Sequence, residues 1–296
     1  MKDHIIVGFG RWGKVIFDNI KDKIFFRKIY IKSRKNNFVY ETSKKTLLKI
    51  NNNKLKKRYY SGHICTPVDK HFIYAKNLDV KKLIIEKPTF KNLKQYSVFS
   101  KKKNLITNYS DLFSPGIKHF YKYFTQIKKG EFKLTYRNLT LKYKKNYECL
   151  NDWLDHPLSL ILFFFREEKL KFKIEKFERN KINKHICENI EIIFFNKKFK
   201  VILSLITNSK KKKRREIEIK NKYQKIKYNF FKSSYRVIDK KTYKTYNFGY
   251  NSIINLYENF IMKNNMKLFI IKNFSRNIFI IKRNIINSAK KIKIIK

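Results

Sequence analysis

His4-Ile5-Ile6-Val7, then Gly8-Phe9-Gly10-Arg11-Trp12-Gly13, then Lys14-Val15-Ile16-Phe17-Asp18-Asn19-Ile20: this opening stretch decides the fold. A short apolar run meets three glycines in the pattern G-x-G-x-x-G, and apolar residues at helical spacing follow. Strand, glycine turn and helix, in that order, are the context in which the pattern marks a dinucleotide site. Gly8 lets the chain turn sharply out of the strand. Gly10 leaves room for a pyrophosphate to approach the backbone, and Gly13 lets the helix pack close to the strand. Arg11 and Trp12 complete the expected cofactor-binding turn. The helix N-terminus adds unpaired N–H groups and a positive dipole end. The whole chain has 7 glycines, so three in one turn is a concentration.

Working outward, Lys28-Ile29-Tyr30-Ile31 reads as a second strand, at whose end a dinucleotide fold places the adenosine ribose. An acidic residue there would bind the ribose 2′-hydroxyl and favour NAD. Lys32-Ser33-Arg34-Lys35 stands there instead. Ser33 and Arg34 offer donors suited to a 2′-phosphate, so the expected cofactor is NADP or NAD, with NADP slightly favoured. Tyr60-Ser61-Gly62-His63-Ile64-Cys65 is a further strand, ended by Thr66-Pro67, and residues 69–78 form a helix with His71 near its start. Lys82-Leu83-Ile84-Ile85 is a buried strand running into Glu86-Lys87-Pro88. A helix over 90–101 and the strand Asn104-Leu105-Ile106-Thr107 follow, with Asn108 at its end. Alternating strands and helices at this spacing predict a parallel, doubly wound sheet. Ligands bind at the carboxyl ends of such strands. Thr66, Glu86, Lys87 and Asn108 should therefore share a crevice with the glycine turn.

After Ser114-Pro115-Gly116 the pattern changes. Helices are expected at 117–128 and 152–165, with strands at 132–143, 170–178, 190–196, 199–206, 216–221 and 223–231. Helical patterns return at 252–263 and 276–291. Strands with short polar joins pair antiparallel. The expected fold class is α/β: an N-terminal Rossmann dinucleotide-binding domain (1–113), then a C-terminal α+β domain with a mainly antiparallel open sheet (114–296).

Composition narrows the classes. In 296 residues, 43% are hydrophobic and 16% aromatic, enough for real cores, which excludes disorder through lack of hydrophobes. The formal charge of +50, from 72 basic and 22 acidic residues, points at face value to nucleic acid. The basic residues are spread along the chain, with one dense cluster at 210–215, and Lys, Asn, Ile, Phe and Tyr dominate as A+T-rich codons dictate. A nucleic-acid partner is therefore not expected. A field this positive still attracts anionic ligands. Cys65, Cys149 and Cys187 form no C-x-x-C, no disulfide framework and no metal spacing, so no metal is expected. No apolar run has the roughly 20 residues of a membrane span, and no apolar leader precedes the first strand. A cytoplasmic protein without membrane contact is expected.

Four motifs in order, Gly8-Phe9-Gly10-Arg11-Trp12-Gly13, Thr66-Pro67-Val68-Asp69-Lys70-His71, Glu86-Lys87-Pro88 and Asp152-Trp153-Leu154-Asp155-His156, make the chain resemble the Gfo/Idh/MocA family, the glucose–fructose oxidoreductase and inositol dehydrogenase group. The match runs to about residue 165; beyond it only the architecture agrees. The resemblance implies an NAD(P)-dependent dehydrogenase or reductase acting on CH–OH groups of a sugar, nucleotide sugar, cyclitol or related polyol. It also implies a homo-oligomer, dimer or tetramer. It assigns Lys87 to contact nicotinamide and substrate hydroxyl, His156 as acid or base, and Asp152 as the carboxylate orienting substrate and histidine. Thr66, Pro67 and His71 line the nicotinamide ribose, with Glu86 and Asn108 in the same crevice. Elementary chemistry agrees. Oxidising a carbinol needs a base for the hydroxyl proton, and histidine titrates near neutrality. A lysine starts at about 10.4 and falls with burial beside positive charge. On a regular helix Asp152 and His156, four apart, would share a face. Two departures stand out: Trp153, Leu154 and Pro157 crowd the histidine, and the acidic residue after the second strand is missing. A non-catalytic dinucleotide sensor or scaffold of the same fold is the alternative, and a basic nucleic-acid-binding protein the remoter one.

Overall fold

The computed structural model describes residues 2–23, 25–99, 104–127, 129–139, 148–182, 185–209, 213–220, 224–232, 234–239, 242–248, 251–263 and 274–294. The chain forms two compact units, Met1–Ser110 with Ile253–Arg276, and Asp111–Ser252 with Asn277–Lys296. The expectation was a single cut after residue 113.

The first unit opens with β1 (Asp3–Val7) and α1 (Arg11–Ile20), then β2 (Lys28–Lys32), β3 (Asn37–Glu41) and β4 (Thr46–Ile50). It continues through β5 (Arg58–Ile64), α2 (Val68–Asn77), β6 (Asp79–Glu86), α3 (Leu93–Phe99) and β7 (Leu105–Asn108). The sheet order is β4-β3-β2-β1-β5-β6-β7. The five strands from β2 to β7 run parallel, and β1, the middle strand of the seven, is buried along its whole length. Beyond β2 the expected parallel pattern stops. Residues 37–50, for which spacing predicted no element, form an antiparallel hairpin on the β2 edge. The cause is length: a parallel return needs a crossover of about a dozen residues, and the short turn after Lys32 permits only a hairpin. Asn37 also closes that turn, its side-chain oxygen accepting from the Ser33 N–H at 3.3 Å. Outermost β4 is exposed, with Leu47 and Leu48 at 42% and 48%.

The returning segment is stitched to this sheet by polar bonds. The buried Lys82 ammonium on β6 donates to the carbonyls of Phe260 and Ile261 at 2.7 and 3.1 Å. Ser275 and Thr107 hydroxyls meet at 2.8 Å. A lysine inside a core must have such acceptors.

The second unit contains α4 (Ile117–Thr125), β8 (Gly130–Leu139), a π-helical turn (Cys149–Trp153) and α5 (Asp155–Phe164). β9 (Lys171–Ile182), β10 (His185–Phe195), β11 (Phe199–Ser209), β12 (Arg214–Lys220), β13 (Gln224–Asn229), β14 (Ser234–Asp239) and β15 (Thr242–Asn247) complete its sheet. Its order is β15-β14-β13-β12-β8-β11-β10-β9, antiparallel except for the parallel pair β8–β11. β14 and β15 extend the sheet beyond the strands read from sequence. The rest of the expected strand 132–143 past residue 139, and Lys210–212 of the basic cluster, lie outside the described residues. α5 is apolar nearly all round and buried, as a helix inside a core should be. It faces an aromatic cluster in which Phe124 and Phe164 lie 5.1 Å apart and Phe132 and Phe165 4.8 Å apart. α6 (Ser252–Leu256) passes into a second π-helical turn, Tyr257–Met262, and α7 (Phe274–Ile294) ends the chain's described part. Among the described residues no helix is long and apolar enough to cross a membrane.

The glycine turn has the geometry its residues predict. Gly8 has φ +98°, the left-handed region. A Cβ on Gly13 would lie 2.0 Å from the Gly8 carbonyl oxygen, whereas one on Gly10 would meet nothing within 4 Å. Gly13→Ala should therefore destabilise the protein by roughly 1–3 kcal/mol, and Gly10→Ala by no more than about 1 kcal/mol. Urea midpoints of the two variants check the contrast.

Candidate active site

The parallel strands of the first unit end where the sequence expected the cofactor crevice. The Gly8 N–H bonds to the Lys32 carbonyl at 2.8 Å, fixing the turn between β1 and β2. α1 begins at Gly10 with no side-chain cap, so its first N–H groups are left for a ligand. Arg11 and Trp12 are exposed in that first turn, and Pro67 is exposed at the start of α2. Two buried polar atoms just past β5 and at the end of β7, Thr66 Oγ1 and Asn108 Oδ1, have no hydrogen-bond partner among the described residues. A hydroxyl and an amide oxygen left so in a folded protein call for a partner. An uncapped helix, an open Gly10 face and two such atoms fit a dinucleotide.

Glu86, at the end of β6, is the junction of this region. Its Oε2 accepts from the Trp12 indole at 2.6 Å, and its Oε1 from Asn108 Nδ2 at 2.7 Å. His63 Nε2 lies 2.9 Å from the same Oε1. The glycine turn, β5, β6 and β7 are thus tied to one buried carboxylate. Behind it runs a line of buried polar groups. His63 Nδ1 meets the Tyr257 hydroxyl at 2.8 Å, that hydroxyl lies 3.2 Å from His4 Nε2, and His4 Nδ1 lies 2.8 Å from Ser61 Oγ. Burial, then the neighbouring His63, hold His4 well below the usual histidine range, so it is neutral. Burial, then Cys65 and Glu86, push the Tyr257 phenol well up.

His71 is brought to the same edge and is fully buried. Its Nε2 faces the Thr66 carbonyl at 2.7 Å, and its Nδ1 faces the carbonyls of Pro88 and Thr89 at 3.1 and 3.0 Å. The ring braces the loop after β5 against the loop after β6. Lys87, half-buried, sits on that second loop. The Ser33 hydroxyl donates to the Asn36 carbonyl within the β2–β3 turn, and Arg34 beside it is exposed.

In the second unit His156 occupies the first turn of α5. Asp152 lies before that helix, in the π-helical turn, where the wider winding breaks the spacing of a regular α-helix. Its Oδ2 accepts from the Glu148 N–H at 3.0 Å. The carboxylate facing His156 is Asp111, with Oδ2 at 3.9 Å from Nδ1. Asp111 is buried and accepts from Tyr136 at 2.7 Å and from Arg215 at 2.8 Å. Burial alone would raise its carboxyl. The Arg215 charge, then His156 and the two hydrogen bonds outweigh that and hold it below the ordinary aspartate value. The guanidinium is sandwiched among rings, 5.5 Å from the centre of Tyr136 and 5.4 Å from that of Trp153. This explains the bulk near His156: Trp153 covers the arginine that keeps Asp111 ionised. Asp155, next to His156, is turned to Lys282 at 2.7 Å.

Sequence reasoning missed Asp111, Tyr136, Arg215 and Tyr257. Asp111 had one signal, a carboxylate flanked by Leu112 and Phe113 in a chain with 22 acidic residues. It also found no metal spacing, because linear spacing cannot see across strands. The structure brings ligand atoms of His63, Cys65 and Glu86 within 4.8 Å of one another.

No family model matches the chain, and no curated protein does. Solved structures do. The chain is similar to a dehydrogenase, MviM, from Clostridium difficile, at TM-score 0.74 and 13% identity over 97% of this chain and 99% of that one. UDP-N-acetylglucosamine 3-dehydrogenase GnnA from Acidithiobacillus ferrooxidans matches at TM-score 0.73 and 10% identity, covering 97% of each chain. An inositol dehydrogenase homolog from Azotobacter vinelandii, complexed with NADH and myo-inositol, matches at 0.69 and 9%, covering 98% of this chain and 96% of that one. The chain has the two-domain fold of these Gfo/Idh/MocA-type oxidoreductases.

Because Asp111 is held below its unfolded value, it stabilises the fold above about pH 4, and that contribution is lost as pH falls through the lower folded value. Asp111→Asn should cost roughly 3 kcal/mol at neutral pH by stranding Arg215. The gap from wild type should shrink below about pH 4, as denaturant unfolding across pH would read out.

Proposed function

We propose that this protein is a nicotinamide-dinucleotide-dependent oxidoreductase acting on a CH–OH group of a sugar, nucleotide sugar or cyclitol. The observation that carries the proposal is the pair of buried atoms without a partner among the described residues, Thr66 Oγ1 and Asn108 Oδ1, at strand ends beside the uncapped glycine turn. The fold shared with dehydrogenases supports it.

In this reading Gly8, Gly10 and Gly13 with Arg11 and the α1 N-terminus hold the pyrophosphate, while Thr66, Pro67 and Asn108 line the nicotinamide end. Glu86 acts there indirectly, by fixing Trp12 and Asn108, and His71 by bracing the Thr66 loop. A dinucleotide held there would supply or accept the hydride. Lys87 positions the substrate hydroxyl and lowers the cost of its deprotonation. His156 takes the hydroxyl proton in oxidation and returns it in reduction. The ionised Asp111 beside Nδ1 orients the ring and stabilises the imidazolium that forms, as a buried carboxylate does for a catalytic histidine. Asp152 is left to orient substrate.

Arg34 and Lys35 are exposed just past β2, where no carboxylate stands. Since the Ser33 hydroxyl is engaged in the turn, Arg34 is the group offered to a 2′-phosphate, and NADP is the favoured cofactor.

Lys87→Ala and His156→Ala should each lower kcat by about 10²–10⁴-fold while dinucleotide affinity is largely kept. A screen of sugars and nucleotide sugars by reduced-nicotinamide absorbance measures the first, calorimetric titration the second. Unchanged turnover in either variant removes that residue from the mechanism. Arg34→Ala should weaken NADPH binding and spare NADH; equal effects on both would return the choice to NAD.

A further inference from the structure

His63 and Cys65, at the end of β5, and Glu86, at the end of β6, set an imidazole nitrogen, a thiol and a carboxylate together. The ligand atoms all lie within 4.8 Å of one another. This is a mixed nitrogen, sulfur and oxygen set, the kind that suits zinc and not magnesium or calcium. We infer that His63, Cys65 and Glu86 form a binding site for a thiophilic divalent cation, zinc being the type, beneath the glycine turn. The inference is independent of the oxidoreductase reading.

The surroundings carry it beyond proximity. Metal-bound histidines nearly always have their other ring nitrogen fixed by a hydrogen bond, and metal-bound carboxylates are likewise held. Both conditions are met before any metal enters. Tyr257 holds His63 Nδ1 at 2.8 Å, and Glu86 is gripped by Asn108 at 2.7 Å and Trp12 at 2.6 Å. With Nε2 given to the metal, the ring proton that Nε2 donates to Glu86 passes by a tautomer shift to Nδ1, which then donates to the Tyr257 oxygen. The Tyr257 hydroxyl then donates to His4 Nε2 at 3.2 Å. The neutral His4 can accept. The thiol lies two residues on from His63, just past the end of β5, and its sulfur comes within 4.8 Å of the imidazole and carboxylate ligand atoms. It has no hydrogen-bond partner among the described residues.

The chemistry balances simply. The thiolate, not the thiol, is the metal ligand, and a dication favours that form. Binding displaces the His63–Glu86 hydrogen bond, forms metal–nitrogen, metal–sulfur and metal–oxygen bonds, and releases the thiol proton to solvent. Water completes a fourth position. Because Glu86 also holds Trp12, occupancy should be felt in the glycine turn.

Cobalt(II) titrated into the full-length protein should give a thiolate-to-cobalt charge-transfer band saturating at one metal per chain and bleached by zinc. Cys187→Ser and Cys149→Ser should keep the band, and Cys65→Ser should lose it. Absence of the band, or its survival in Cys65→Ser, overturns the site. Zinc-edge X-ray absorption on the wild-type protein needs no variant. It should show one sulfur neighbour at about 2.3 Å beside nitrogen and oxygen neighbours at about 2.0–2.2 Å; a shell without sulfur overturns the site equally.

Discussion

The first unit depends on one buried carboxylate. Glu86 ends a strand whose preceding residues, Leu83, Ile84 and Ile85, are wholly buried, so its side chain has no route to bulk water. A charge in that place must be met by donors or neutralised. Trp12, Asn108 and His63 meet it from three other parts of the sheet edge. The demand is electrostatic, and its result is geometric: the loops that would surround a dinucleotide are located by the need to solvate one group. Tyr257, His4 and Ser61 continue the same requirement inward, since a histidine inside a sheet needs partners on both nitrogens.

The second unit solves a similar problem with opposite emphasis. There the buried carboxylate is Asp111, and its main partner is a guanidinium sandwiched between aromatic rings. Arginine is suited to this role because its planar, weakly hydrated cation tolerates ring faces that would strip water from an ammonium. The consequence for His156 is a fixed negative charge near Nδ1. In both units a buried carboxylate is held by donors that the core itself fixes.

What was legible in the sequence was local. Gly8, Gly10 and Gly13 announce their backbone demands within a few residues, and the strand-end placing of Thr66, Glu86 and Asn108 follows from alternation alone. The helix around His156 was legible as an apolar run, but not its π-helical entry, because that widening depends on tertiary contacts such as the Glu188 carboxylate accepting the Cys149 N–H at 2.6 Å. The β3–β4 hairpin was missed because its lysine- and asparagine-rich turns resemble the rest of this chain's composition. The Asp111–Arg215 pair joins residues far apart, and Arg215 is hidden at the end of a basic run. Tyr257 is one of 19 tyrosines, and no local pattern tells which of them returns to the first unit.

The hairpin edge has its own consequence. Among the described residues nothing pairs with the outer edge of β4, and Leu47 and Leu48 are exposed beside it. Such an edge invites a second chain to add a strand. Lys44, Lys45 and Lys49 surround it, so two copies approaching edge to edge bring like charges together. This repulsion is of the kind that salt screens within about 8–10 Å at physiological strength. The excess of lysine, whatever its codon origin, therefore doubles as a colloidal safeguard, and concentrated salt or polyanions would be the conditions that remove it.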